Sequence, residues 1–251
     1  MCTLTFIPKP DGFLAGMNRD ELLTREIALA PQVFATNGVQ SLYPREPAGG
    51  TWIACNSHGI LFSLLNMSGA ARAVPKVNQT SRGTIIPALM WLADSHAAGR
   101  ALAGFSLAQF LPFRLVGIFA KEKSLSEWRW DGDALQAEGL LWEARHWFSS
   151  SLSDCSAEEG RAPACARAWQ DPGAGDEEWL GKLHRSHFPA PGPFSLCVHR
   201  PDAATVSYTE VRCSGSQISM SYYGGNPCHM QGLDETASIV LVEPRSPVSS
   251  S

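Results

Sequence analysis

Cys2-Thr-Leu-Thr-Phe-Ile7 is alternating and β-branched, Pro8-Lys-Pro-Asp-Gly12 supplies turn chemistry, and Phe13-Leu-Ala-Gly-Met17 resumes an apolar run. A period-two pattern punctuated by Pro and Gly is a β-hairpin, and this one begins at Cys2. Its second strand stops abruptly at Asn18-Arg19-Asp20-Glu21. Four polar residues thus stand where the strand leaves the sheet, beside the start of its partner.

A second hairpin follows an irregular stretch over 25–48. It consists of Thr51-Trp-Ile-Ala-Cys55, a turn at Asn56-Ser-His-Gly59, and Ile60-Leu-Phe-Ser-Leu-Leu65, a return strand apolar enough to be covered on both faces before it ends at Asn66. Ile85, Ile86, Leu89, Leu92 and Ala93 repeat at helical spacing and predict one or two helices between Ser81 and Ala103. Strands are expected over 114–119, 125–130 and 145–149. Ala-rich helical segments follow over 156–169 and 175–187, interrupted by Pro163 and Pro172, the second capped by Asp176. Strands resume over 194–199, 205–213, 217–223 and 237–243. Hairpins, helices, strands, helices and strands in that order do not alternate as βαβ units do. They suit two mainly antiparallel sheets packed face to face with helices outside, a four-layer αββα sandwich of the α+β class. One domain over 1–243 and a flexible tail over 244–251 are expected.

Composition narrows the function. The 251 residues carry a net charge of −4, and the basic residues are scattered, so no stripe exists to neutralise a run of phosphates and nucleic acid is not expected as a partner. No basic leader with an apolar core opens the chain, and no apolar run reaches the ~20 residues of a bilayer span. A soluble, cytoplasmic protein is the expectation. Seven cysteines, an odd number and widely spaced without a Cys-x-x-Cys pair, argue against both a disulfide framework and a metal site. No metal and no cofactor are expected.

Chemistry concentrates on Cys2. Loss of Met1 would leave it with a thiol and a free α-amine whose ordinary pKa values, about 8.5 and 7.7–8.0, lie close together, so one residue supplies both nucleophile and base. Acyl transfer also needs a positive group to favour thiolate, a carboxylate to orient the amine and donors for the oxyanion. Arg19, Asp20 and Asn66 are the candidates. Arg19 and Asp20 are neighbours and point to opposite faces of a regular strand, so both reach Cys2 only if the chain bends. Ser149, Ser150 and Ser151, after Trp147-Phe148, are hydroxyl donors at a pocket rim or a loop.

Cys2, Asn18-Arg19-Asp20-Glu21, Gly49-Gly-Thr-Trp-Ile53, Asn56-x-x-Gly59, Leu65-Asn66, Ser81-Arg-Gly83 and Pro87 resemble the blocks of the NRDE family, the transport and Golgi organisation proteins and their bacterial relatives, over roughly the first 90 residues. The same blocks are similar to those of cysteine N-terminal-nucleophile (Ntn) hydrolases, the choloylglycine hydrolase and penicillin V acylase group. That resemblance implies an Ntn-type fold with Cys2 as nucleophile, Asp20 holding the α-amine and Asn66 donating to the oxyanion. The chain departs from that pattern twice. Met17 stands where the group has arginine, which leaves Arg19 two residues on, and Ser149-Ser150 replace an Asn after the central strand. Asn18, Ser149, Ser150 and His58 are the expected substrate-binding residues.

Phe194–Arg200, Thr205–Thr209 and Tyr223–Cys228 are more loosely similar to acyl-CoA:aminopenicillanate acyltransferase-like proteins. Two functions fit. One is an amidohydrolase or acyltransferase acting on a small-molecule amide, thioester or acyl group through an acyl-Cys2 intermediate. The other is a non-catalytic binding or trafficking protein for haem or a lipid-acyl ligand, with a cysteine thiolate or a histidine such as His58 able to ligate haem iron.

Overall fold

The computed structural model describes residues 2–68, 79–232 and 235–242. The expected tail over 244–251 lies outside them. Thirteen strands and four α-helices follow in the described residues. The first six strands are β1 (Cys2–Lys9), β2 (Gly12–Leu22), β3 (Leu29–Thr36), β4 (Val39–Arg45), β5 (Ile53–Asn56) and β6 (Ile60–Asn66). Helices α1 (Ile85–Leu89) and α2 (Ser95–Ala103) precede β7 (Phe113–Phe119), β8 (Ser124–Trp130), β9 (Leu135–Leu140) and β10 (Arg145–Ser149). Helices α3 (Asp154–Ala168) and α4 (Glu177–His184) precede β11 (Ala203–Ser214), β12 (Gln217–Tyr223) and β13 (Glu235–Val240).

The strands form two sheets, β10-β1-β2-β11-β12-β13 and β3-β4-β5-β6-β7-β8-β9, in which every neighbour is antiparallel. Three apolar layers separate four structural ones. Leu4, Phe6, Ala15 and Met17 meet Leu42, Ile53, Leu61 and Val116 between the sheets. Phe62, Leu115 and Trp128 pack against Ile86, Leu89 and Leu102 on one outer face, and Ile7 and Leu14 pack against Ala157, Trp179 and Leu180 on the other. The fold is the expected αββα sandwich.

Local chemistry sets the boundaries. Asp94, Ser153 and Asp176 each accept a backbone N–H at the start of α2, α3 and α4. The first hairpin holds the register Cys2↔Arg19 and Thr3↔Asn18. Cys2, Leu4 and Phe6 therefore face the space between the sheets, whereas Thr3, Thr5 and Ile7 face α3 and α4.

Four expectations need correction. Residues 25–48 are not irregular, because β3 and β4 pair through a turn at Asn37-Gly38, both at positive φ (53° and 78°), the two-residue hairpin signal that the surrounding exposed edge strand obscures. Phe194–His199 is not a strand. It is a compact loop with only isolated bridges, Gly192↔Val198 and His199↔Ala204. Pro163 does not interrupt α3, whose buried face of Ala157, Arg161, Ala164 and Cys165 holds the helix on the sheet despite the lost backbone donor. Strand β2 does not leave the sheet at Asn18, since it runs on to Leu22 with Asn18 to Leu22 paired to β11; β9, mostly exposed and weakly alternating, carries no sequence signal. Among the described residues no helix is long and apolar enough to cross a membrane.

Candidate active site

The ends of β1, β2 and β6 meet at one edge of the sandwich, where a small cleft of about 90 Å³ is lined by residues that include Cys2, Arg19, Asp20, Glu46, Asn66 and Arg82. Its mouth is set by a close approach of two backbones. Thr51 N–H donates to the Gly83 carbonyl at 3.0 Å, and a Cβ on Gly83 would lie only 3.2 Å from Gly50 Cα. Glycine at both positions allows the contact, which brings Thr51, Trp52 and Arg82 to the rim beside Cys2.

Cys2 sits at the end of the inter-sheet core and is only 5% exposed. Its nitrogen donates to Ser149 Oγ at 2.9 Å, across the β1–β10 ladder that pairs Cys2 with Ser149. Burial pushes the Cys2 thiol up. The positive chain terminus, the Arg19 guanidinium and the Asp20 backbone N–H pull it down, and the Asp20 carboxylate raises it.

Arg19 and Asp20 point to opposite faces, although the ladder with β11 shifts register opposite them, between Thr205 and Ser207. Arg19, directly across from Cys2, lies in the cleft, where Glu46 (2.5 Å) and Glu21 (3.2 Å) hold its guanidinium over the Trp52 ring, 4.5 Å from the centroid. Asp20 faces the helices. Thr205 Oγ1 donates to its Oδ1 at 2.6 Å, and Arg161 Nη2 pairs with its Oδ2 at 3.3 Å, both charged side chains being fully buried.

Arg161 is a hub that the sequence reading did not single out. From the middle of α3 it donates to Thr3 Oγ1 (2.9 Å) and to the carbonyls of Ser195 (3.1 Å), Cys2 (3.3 Å) and Ser149 (3.3 Å), besides Asp20. It fixes the start of β1 against the ends of β2 and β10. A signal existed, since Arg161 interrupts a stripe of small residues (Ala157, Ala164, Cys165) on one helix face, where a cation must find buried acceptors. Arg82, within the Ser81-Arg-Gly83 block, also reaches the cleft. Its guanidinium donates to the Pro112 carbonyl at 2.8 Å, and burial pulls its pKa down while the neighbouring Cys2 and Glu21 charges oppose that.

The remaining expected residues divide. Asn66 lines the cleft, partly buried, and its side-chain amide has no hydrogen-bond partner among the described residues. Ser149 holds the Cys2 nitrogen. Ser150 instead serves the start of α3, where its N–H donates to Asp154 Oδ1 and its hydroxyl accepts from Leu152 N–H. Asn18 is buried under the helices and donates to the carbonyls of His184 (2.8 Å) and Leu196 (2.9 Å), so it ties β2 to α4 and does not line the cleft. His58 lies in the β5–β6 turn near Lys121 and Asp94, at the other end of the strand from Asn66.

A second, more apolar hollow of about 360 Å³ adjoins the cleft, sharing Arg19, Glu21 and Arg25 with it and walled by Ile27, Val206 and Tyr222 among others. Hollows of about 420 and 470 Å³ around Pro10, Asp11 and Cys213 touch neither Cys2 nor Asn66.

The sequence profile of the family described as Transport and Golgi organisation 2 matches residues 1–157. No curated protein matches the sequence. Among solved structures the chain is similar to a mutant conjugated bile acid hydrolase from Clostridium perfringens, with a TM-score of 0.53 and 10% identity over 96% of this chain and 92% of that one. It is also similar to a penicillin V acylase from Agrobacterium tumefaciens, with a TM-score of 0.46 and 9% identity over 88% and 82%. At such identities the first likeness speaks for the fold alone, and the arrangement of layers agrees with it.

Proposed function

From the premise that the chain belongs to the Transport and Golgi organisation 2 family and has an Ntn-hydrolase fold, we propose that it is a cysteine N-terminal-nucleophile enzyme acting on a small-molecule amide, thioester or other acyl compound through an acyl-Cys2 intermediate. The observation that carries this reading is the cross-strand pairing of Cys2 with Arg19 on the cleft floor, with the Cys2 nitrogen held by Ser149 Oγ and the Asn66 amide unengaged at the rim.

Removal of Met1 turns the Cys2 nitrogen from an amide into an amine. The amine takes the thiol proton, the sulfur attacks the acyl carbon, and the same proton passes to the leaving amine or thiol as the tetrahedral intermediate collapses. Water, its proton taken by the same amine, then attacks the thioester and releases a carboxylic acid and the free thiol. An acceptor amine in place of water makes the reaction an acyl transfer. Arg19 favours the thiolate, and Ser149 Oγ orients the amine. Asn66 donates to the oxyanion, an interaction worth ~3 kcal/mol when well aimed. Asp20 is a positioning residue, since its oxygens are engaged by Thr205 and Arg161. The adjoining hollow, bordered by Leu22, Leu23 and Ile27, suits the apolar part of an acyl group.

The test is turnover of a panel of N-acyl amides and thioesters by the Met1-free protein. Cys2→Ala abolishes it, and Asn66→Ala lowers kcat by about 10²–10³ if the amide serves the oxyanion. Equal turnover by Cys2→Ala refutes the reading. The burial of the Cys2 sulfur favours a second reading, in which the cleft and hollow hold an acyl ligand without turnover. His58 borders neither cavity, so haem ligation through it gains no support from the geometry.

A further inference from the structure

Residues far apart in the sequence converge behind Asp20. The ligating atoms of His187, Cys197, His199 and Cys228 all lie within 4.8 Å of one another. His199 Nε2 is the focus, 2.9 Å from His187 Nε2, 3.8 Å from Cys197 Sγ and 3.7 Å from Cys228 Sγ. We propose that these four side chains form a tetrahedral Cys₂His₂ site for a zinc-class divalent transition-metal ion, which fastens the 186–199 loop to the turn that follows β12.

The three edges that meet at His199 Nε2 fit a tetrahedron, and the other three, within 4.8 Å, would close by up to about an ångström onto the ion. With Zn–S near 2.3 Å and Zn–N near 2.05 Å, ligand atoms at tetrahedral angles stand about 3.6 Å apart for S–N edges and about 3.3 Å for the N–N edge. The observed 3.7 and 3.8 Å match the first, and the two imidazole nitrogens need only part by a few tenths of an ångström from 2.9 Å. The donor set selects the metal. Two thiolates and two neutral imidazoles balance a 2+ ion, suit borderline-soft zinc and leave no open position, which marks a structural site.

The surroundings are built to hold the ligands. As thiols, Cys197 and Cys228 each donate to Asn226 Oδ1 at 3.0 Å; on metal binding they lose those protons and the Asn226 amide must turn its Nδ2 toward them, whereas the Cys228 N–H already points at the Cys197 sulfur. Backbone bonds fix the loop, with Cys197 N–H on the Ser186 carbonyl and His199 N–H on the Gly192 carbonyl. Without a metal the cluster crowds four donor atoms together, and one proton must be shared between two imidazoles.

The site bears on the cleft through the residues beside Cys197. The Ser195 carbonyl accepts from Arg161, the Leu196 carbonyl from Asn18, and Val198 N–H donates to the same Thr205 Oγ1 that bonds Asp20. A metal at Cys197 therefore locks the layer that carries the Asp20–Arg161 pair, whatever that cleft does. Spacing in the sequence hid it, because Cys197-x-His199 is the only short-range pair among the four.

The experiment is cobalt(II) titration of the full chain, purified metal-free under reductant, followed by its visible absorption and by thermal unfolding. Wild type is expected to take up one cobalt per chain with the intense bands of a tetrahedral thiolate site, to exchange it for zinc with loss of colour, and to melt higher when loaded. Cys228→Ser and His187→Ala, both at partly exposed positions that spare the core, each weaken cobalt at least tenfold. Cys155→Ser, at an exposed cysteine elsewhere, changes nothing. An absence of tetrahedral bands in reduced wild type, bands that survive in Cys197→Ser/Cys228→Ser, or a Cys197–Cys228 disulfide whose reduction restores no cobalt binding would each overturn the proposal.

Discussion

Arg161→Leu removes a fully buried guanidinium and leaves Asp20, itself fully buried, with Thr205 Oγ1 as its remaining side-chain partner. Breaking a buried ion pair by deleting one member costs about 3–5 kcal/mol, because the other charge stays in a medium that cannot solvate it. The same change strips donors from Thr3 Oγ1 and the carbonyls of Cys2, Ser149 and Ser195. A loss of about 4 kcal/mol is thus expected, a large share of the 5–15 kcal/mol that holds an ordinary domain together. Urea unfolding followed by tryptophan fluorescence reads it directly as a fall in midpoint at constant slope. Arg161→Lys does not rescue, since one ammonium cannot span acceptors on three strands and a loop. Asp20→Asn in the Arg161→Leu background removes the stranded charge, so the double variant is less destabilised than the two single losses added, by about 1–3 kcal/mol. A cost below about 1 kcal/mol for Arg161→Leu, or strict additivity with Asp20→Asn, would refute the view that this pair organises the site.

Stability has opposing pH dependences at two places, one half-buried and one reaching into the core. Burial raises Glu210 to about 7, against the hydrogen bond from Tyr208 Oη at 2.9 Å. A raised carboxyl favours its protonated form in the folded state, so its stabilising effect is complete below the unfolded value of 4.5 and is lost as pH rises through about 7. Glu210→Gln should therefore stabilise by about 3 kcal/mol near pH 8 and by nothing near pH 4, in thermal or urea unfolding. His146 and His184 are lowered by burial to about 4 and about 3, sandwiching Thr5 Oγ1 at 3.0 Å each. Their neutral forms stabilise the fold above the unfolded value of 6.5, and that contribution falls away as pH drops through about 4. Acid unfolding between about pH 6.5 and 3 should weaken in His184→Gln, a change in midpoint that an unaltered acid limb would contradict.

Much of the fold was legible because periodicity and turn chemistry are local. The two hairpins at Cys2–Met17 and Thr51–Leu65 and the capped α4 declare themselves in a few residues each. The αββα layering follows from the order of such elements. What escaped lacks a local apolar pattern or depends on partners remote in sequence. β3 and β9 are edge strands whose exposed faces carry little alternation, so their ladders with β4 and β8 define them. The cleft was read in part. Cys2, Arg19 and Asn66 come together, but Asn18 turns to the helices by strand parity and Ser150 is taken by α3. Arg161 and the His187–Cys228 cluster were missed because their meaning lies in acceptors and ligands that only the tertiary fold collects.

The central claim is that Cys2, freed of Met1, accepts an acyl group. Intact mass of the purified protein, before and after brief exposure to an activated acyl ester near neutral pH, tests it with one reading. The account predicts a chain lacking Met1 that gains a single acyl mass, mapped to Cys2 and absent from Cys2→Ala. A chain that keeps Met1, or an acyl mass that persists in Cys2→Ala while Cys2 itself stays unmodified, would contradict it.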